Sequence, residues 1–451
     1  MSHHLSDQTS SAHRCGFVPP YLLEQLGYDR TLGLDGQIRQ RRATGAPRAG
    51  DRAGALAADP APAWTVHTCG GTTTLPGEPV RSAGDGPSGD DAVDEAATGI
   101  TGALALFSEV YERDSYDGAG APVSLSVHYG TDYANAFWDG TQLVFGDGDG
   151  EVFARFTRAP DVLAHELAHA VTERTAGLVY ADQPGALNES VSDVFAACSE
   201  QRMLGQTAAE ADWLIGAELF LPGVRARGLR DMAAPGTAYD DPRLGRDPQP
   251  GHLDDYVETT DDNGGVHLNS GIPNRAFQLA AVAIGGTSWE GAGRIWYAAL
   301  TGGLVGPSTD FAGFAAATVA AAGDHAEAVR EAWRTVGVEP ARPGTAPVPT
   351  PDGAGATGSR QVRVRRSGGF VGRTVEASVD LDSDDERAPT LRGLVGRIDT
   401  AAVAASAARP DHFTYEFDLE GERVQVHEQD LTTELRDVAE LVLRRDDPAP
   451  G

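Results

Sequence analysis

Residues His165–Arg174 read HELAHAVTER: two histidines four apart, with a glutamate directly after the first. Leu163, Leu167, Ala170 and Val171 recur around them at helical spacing, which predicts a helix over 160–177. On a helix, positions i and i+4 share a face, so both imidazoles can reach one ion. Glu166 is rotated off that face yet stays beside it, where a general base would sit. Taken alone, H-E-x-x-H equally describes two surface histidines on an ordinary helix, so the choice rests on the residues around it.

One longer pattern needs Gly and His three and six residues after the second histidine, and it fails at Thr172 and Thr175. The segment NESVSD follows instead, on a second helical run expected over 188–204. Glu189 and Asp193 are again four apart. A carboxylate from Glu189 would complete a His₂Glu zinc site and leave the fourth position to water. Asp193 could then accept from the far nitrogen of a ligand histidine and fix its tautomer. A third element, DDNGGVHLNSGIPNRAF (Asp261–Phe277), sets His267 after a Gly-Gly turn, with Asp262 able to orient it. On its own such a histidine is more often a cap or a packing residue.

Composition narrows the field. The chain has 451 residues, 41% of them hydrophobic, a formal net charge of −30 and a pI of about 4.6. It contains no lysine. That balance argues against nucleic acid and anionic membrane, which call for clustered positive charge. Three cysteines, Cys15, Cys69 and Cys198, do not make a disulfide framework, and Cys198 reads as a buried thiol. No signal-peptide core or membrane-length apolar run stands out. The expectation is a protein made in the cytoplasm, with export by a non-standard route left open, and a monomer.

Composition shifts divide the chain into 1–60, 61–160, 161–340, 341–360 and 361–451. The first segment holds FVPPYLLEQL (Phe17–Leu26), then an Arg-rich patch and a stretch ALAADPAPA suited to a linker or processing site. Pro19-Pro20 followed by Tyr21-Leu22-Leu23 reads either as an extended apolar strip for a cleft or as the start of a short packed helix. Residues 61–160 are β-rich with one amphipathic helix. Residues 161–340 are mostly helical, with further helices expected at 269–284, 290–302 and 309–337. A Pro/Gly/Ala-rich linker follows, and 361–451 reads as a small α+β module with a hairpin near Glu420-Gly421.

HELAHAVTERTAGLVY, NESVSD and DNGGVHLNSGIPNRAF resemble the thermolysin family of zinc metallopeptidases, and NAFWDG with VFGDGDG resembles its substrate-edge strand. The resemblance runs from about Trp64 to Val338 in family order and is nearest the protealysin-like branch, whose short propeptides resemble this Pro-Pro-Tyr-Leu element. It implies a two-lobed α+β peptidase, with a β-rich N-lobe, an α-helical C-lobe and zinc between them on His165, His169 and Glu189. It also implies Glu166 as general base, His267 and Tyr180 as donors to the oxyanion, and Asp262 supporting His267. Arg230 would hold the carbonyl beyond the scissile bond. Asn135 and Ala136 would pair with the peptide, and Phe153, Phe156, Val162 and Leu229 would line an apolar pocket. Asp161, Glu200 and Asp212 match calcium ligands, whereas Leu214 and Ala217 stand where two further carboxylates belong, so one Ca²⁺ is expected.

The last module, VRVRRSGGF through LTTELRDVAELV, resembles emfourin, an inhibitor associated with protealysin-like enzymes. The resemblance implies an endopeptidase made as a self-processing zymogen, cutting proteins or peptides before bulky apolar residues and restrained by its own two ends. Two rival readings remain: a catalytically silent zinc scaffold, and a peptidase whose C-terminal module binds substrate. Cys15 could ligate zinc in the zymogen or be incidental.

Overall fold

The computed structural model describes residues 16–43, 63–341 and most of 361–443. The Arg-rich patch beyond residue 43, the processing window, the 342–360 linker, Cys15 and the Glu420-Gly421 turn lie outside the described residues. The chain divides into two units, Met1–Val348 and Pro349–Gly451.

The first unit opens with helices α1 (Pro20–Leu26) and α2 (Asp29–Ala43). The proline pair splits its work. Pro19 is extended, at φ −62° and ψ 146°, while Pro20 starts α1, where a missing N–H costs nothing. Tyr21-Leu22-Leu23 is therefore helical, and Leu22 and Leu23 are buried in the main core. The extended strip ends at Pro19.

Five strands form the N-lobe sheet: β1 (Trp64–Thr68), β2 (Glu78–Ser82), β3 (Val123–Val127), β4 (Ala136–Trp138) and β5 (Leu143–Phe145). Their order is β2-β1-β3-β5-β4, with β1, β3 and β5 parallel. This leaves β4 at an edge, with one side of its backbone open for pairing. Helix α3 (Asp91–Ala105) packs on the sheet and starts at Asp90, whose carboxylate accepts from Ala92 N at 2.9 Å.

The C-lobe is built from α4 (Pro160–Glu173), α5 (Asp182–Leu204), α6 (Asp262–Asn269), α7 (Gly271–Ile284), α8 (Ala292–Thr301), α9 (Phe311–Ala321) and α10 (Ala326–Thr335). Helix α5 begins ahead of the expected residue 188, and the run expected as one helix over 309–337 is two. Gly323, at φ +52°, turns the chain between them, a conformation open to glycine at little cost. Residues Asp161 to Thr172 of α4 are all buried, so the HELAH segment is a core helix.

Among the described residues, the second unit is a four-stranded antiparallel sheet with two helices. Strands Gln361–Gly368, Val375–Asp380, Phe413–Leu419 and Glu422–His427 lie in the spatial order second, first, third, fourth. Helices Ala388–Val395 and Thr433–Leu443 contribute Leu391, Leu435, Val438 and Val442 to a core shared with Val362, Val364 and Phe417.

Candidate active site and metal centre

Helices α4 and α5 pack together and bring their paired residues to one point. His165, His169 and Glu189 each offer a ligand atom, all within 4.8 Å of one another, the sole such trio among the described residues. Glu189 lies 3.6 Å from Nε2 of both histidines. The far nitrogens are already engaged. His165 Nδ1 lies 2.8 Å from Asp193 Oδ1, and His169 Nδ1 2.9 Å from Asn188 Oδ1. Neither oxygen can donate, so both Nδ1 atoms carry the proton and both Nε2 atoms present lone pairs. Those two Nε2 atoms stand 3.0 Å apart, and Glu189 Oε2, buried, accepts no hydrogen bond among the described residues. Two lone pairs and a carboxylate oxygen aimed at one point are stable together around a cation, and the N₂O donor set suits zinc.

The electrostatics agree. Burial, reinforced by the neighbouring His165 and His267, outweighs the pull of Glu189 and lowers the His169 pKa to about 4, which keeps it neutral. Burial pushes the Glu189 carboxyl up, but His267, His169, His165 and Arg230 override it and hold it at about 2. Asp193 is likewise held below the usual carboxylate range: burial opposes its charge, and Arg230 and His165 prevail. Arg230 grips Asp193 with two hydrogen bonds of 2.7 Å, and Asn274 Nδ2 adds a third at 2.8 Å. Glu166 is fully buried on the same helix, next to His165.

The second expected group also converges here. His267 sits on one helical turn of α6, reached through left-handed backbone at Asn263, Gly264 and Gly265. A Cβ on Gly264 would lie 2.2 Å from Asp182 Oδ1, so the approach needs glycine. Asp262 accepts from His267 Nδ1 at 2.6 Å and from its backbone N–H at 2.9 Å. Burial works against the His267 cation, but Asp262 and Glu189 raise its pKa to about 9. Tyr180 donates its hydroxyl to Glu189 Oε1 and lies 3.3 Å from His267 Nε2.

The N-terminal segment runs through this site alongside β4. Phe17 N–H donates to Ala136 O at 3.0 Å, and Val18 N–H donates to Asn135 Oδ1 at 2.8 Å. The Phe17 carbonyl accepts from Arg230 Nη1 at 3.1 Å, and the Gly16 carbonyl lies 3.1 Å from His267 Nε2. The Phe17 ring is fully buried, edge-on to His165 at 5.0 Å and under the Arg230 guanidinium at 4.6 Å. Leu229 and Leu219 flank Gly216 beside that ring. Phe153 and Phe156 are buried 5.8 Å apart, and Phe153 meets Tyr28 of the N-terminal segment at 6.4 Å. Val162 is fully buried on α4.

Three partners went unread in the sequence. Asn188 and Ser192 hold His169, and Asn274 holds Asp193. The first two sit inside NESVSD, so the motif itself was the available signal. Among the expected calcium ligands, burial and the charges of Asp161, Asp212 and Glu218 raise Glu200 to about 9. Glu218, next to Ala217, thus joins that acidic group.

Comparison with known proteins agrees with this geometry. The model of the thermolysin metallopeptidase catalytic domain matches residues 63–173, that of the thermolysin metallopeptidase alpha-helical domain 176–338, and that of emfourin 364–443. An extracellular metalloprotease of Pectobacterium carotovorum subsp. carotovorum is 54% identical over 280 residues, 61% of this chain and 81% of that protein. Protease PrtS of a Photorhabdus species is 46% identical, over 61% of this chain and 76% of its own. The solved precursor of protealysin, a metalloproteinase from Serratia proteamaculans, superposes with a TM-score of 0.64 at 46% identity, covering 72% of this chain and 99% of its own. The expectation of a cytoplasmic protein is overturned by this set, since the Pectobacterium relative is named an extracellular enzyme. Among the described residues, no helix is long and apolar enough to cross a membrane. The chain belongs to the thermolysin family of metallopeptidases, and its C-terminal unit carries an emfourin domain.

Proposed function

We propose that the chain is the latent precursor of a zinc endopeptidase that cuts before bulky apolar residues, phenylalanine among them, and acts outside the cell. The observation that carries this reading is Phe17. A buried aromatic ring on a zinc-ligand histidine, with its carbonyl on Arg230 and its N–H on an edge strand, is how a peptide would lie to be cut. Zinc on His165, His169 and Glu189 would supply Lewis acidity at the reacting carbonyl. Glu166 takes the proton of the attacking water and passes it to the leaving amine. His267 and Tyr180 donate to the charge that develops on the carbonyl oxygen, and Asp262 holds His267 in position. Asn135, Ala136 and Arg230 fix the register of the peptide.

In the same reading, the N-terminal segment holds the cleft until the chain processes itself between residues 44 and 63. The emfourin domain restrains the released enzyme, and tethering gives it an effective concentration on the order of mM. The group Asp161, Glu200, Asp212 and Glu218 takes one Ca²⁺, which supplies the positive charge that buried carboxylates need. The test is peptide hydrolysis by the processed enzyme, wild type beside Glu166→Gln. Rates lower by about 10²-fold or more in the variant, at equal zinc content, support the assignment. Equal rates would remove Glu166 from the chemistry.

A further inference from the structure

We propose that the Gly16–Phe17 peptide bond is itself cut in place, as a clip that precedes and differs from the release cut further along the chain. This rests on the peptidase reading above. The segment is held through the backbone of Phe17 and Val18. Phe17 N–H and Val18 N–H donate to Ala136 O and Asn135 Oδ1, and the Val18 carbonyl accepts from Asn135 Nδ2 at 3.3 Å. The Phe17 carbonyl is taken by Arg230. The next carbonyl back, that of Gly16, is the one at His267 Nε2. The catalytic donor therefore faces Gly16, and the nitrogen beyond that carbonyl belongs to Phe17, whose side chain fills the apolar site against His165.

Gly16 is fitted to this seat. A Cβ there would lie 2.4 Å from Asn135 Nδ2, the atom that takes the Val18 carbonyl. Any larger residue has to push aside the side chain that sets the register. In the cut, the oxygen of water bonds to the Gly16 carbonyl carbon and the carbon–nitrogen bond to Phe17 breaks. One water proton passes through Glu166 to the Phe17 nitrogen, and the other leaves the new carboxyl group to solvent. The products are a Gly16 carboxylate and a Phe17 amine, with no oxidant or second substrate. Residues from Phe17 onward keep their own anchors. Leu22 and Leu23 stay in the core, Thr31 accepts from Ala134 N at 3.3 Å, Asp35 holds Tyr133 and Asn135, and Tyr28 holds Asp149. The clip therefore trims residues 1–16 without emptying the cleft.

The experiment follows zinc-loaded full chain by intact mass and N-terminal sequencing at two protein concentrations, with an added peptide bearing a Gly-Phe bond in parallel. The expected result is a chain beginning at Phe17, formed before the release cut at a rate independent of concentration. It is absent from Glu166→Gln and slowed about tenfold or more in Gly16→Ala. If the added peptide is hydrolysed while no chain beginning at Phe17 accumulates, the clip is wrong and the peptidase reading stands. A rate proportional to protein concentration also overturns cutting in place. If neither peptide nor chain is cut, the peptidase reading fails and takes the clip with it.

Discussion

Asp193 concentrates the physics of the site in one carboxylate. It fixes the His165 tautomer, balances Arg230 and is itself fully buried. Replacing it with alanine leaves the Arg230 guanidinium without its counter-charge in the interior, a class of change that costs about 3–5 kcal/mol. It also frees the His165 ring, and loss of such an outer partner lowers metal affinity about 10–100-fold. Asp193→Ala is expected to show both a lower melting temperature and weaker zinc binding by competition with a chelator. A variant that melts lower but binds zinc normally would assign Asp193 to stability alone. At this scale the sequence was most informative. His165, His169, Glu189 and Asp193 announce themselves because helical spacing is local, and two residues four apart must share a face. The places of Gly16 and Phe17 in the site gave no such signal. Val18 meets Asn135 across 117 positions, and nothing in the periodicity of either stretch encodes that pairing.

Elements were legible as types and less so at their ends. Helices α4, α7 and α8 start close to where the apolar pattern put them, but the break at Gly323 depends on one backbone angle that a continuous alanine-rich run conceals. The turn to His267 was visible as Gly-Gly, while its helical character came from packing against α5. Between elements, His128 at the end of β3 bridges Asp90, the cap of α3, at 3.1 Å and Asp147 at 2.9 Å. The hydrogen bond and charge of Asp147, with those of Asp90, outweigh burial and raise its pKa to about 9. An unfolded histidine titrates near about 6.5. A folded pKa raised above that value means the clamp contributes fully below about 6.5 and is lost as pH rises through about 9. The melting temperature of His128→Gln is thus expected to fall below that of wild type at pH 6 and to converge with it at pH 10. A constant gap across that range would mean the histidine acts through packing and not charge.

At the scale of the molecule, the peptidase is flanked along the chain by two segments, of which only the C-terminal one has its own core. The N-terminal one is integral to the first unit: Phe17, Val18, Leu22 and Leu23 belong to the same hydrophobic cluster as α4 and α5. Burial of an apolar side chain of that size contributes about 1.5–3 kcal/mol, so Phe17→Asp is expected to shorten latency, read as the lag before added peptide is hydrolysed. An unchanged lag would show that the ring does not hold the segment. The emfourin domain folds around its own core, so it can be removed without cutting into the core of the first unit. Once the N-terminal segment is gone, a chain ending at residue 341 is expected to hydrolyse peptide faster than the full chain, and equal rates would refute restraint by that domain. A His₂Glu zinc site with Glu166 as base is expected to cut this chain itself. N-terminal sequencing with metal analysis, wild type beside Glu166→Ala, tests it most directly. The expected result is stoichiometric zinc in both proteins and a new N-terminus between residues 44 and 63 in wild type alone. The same processing in both, or processed wild type free of zinc, would contradict it.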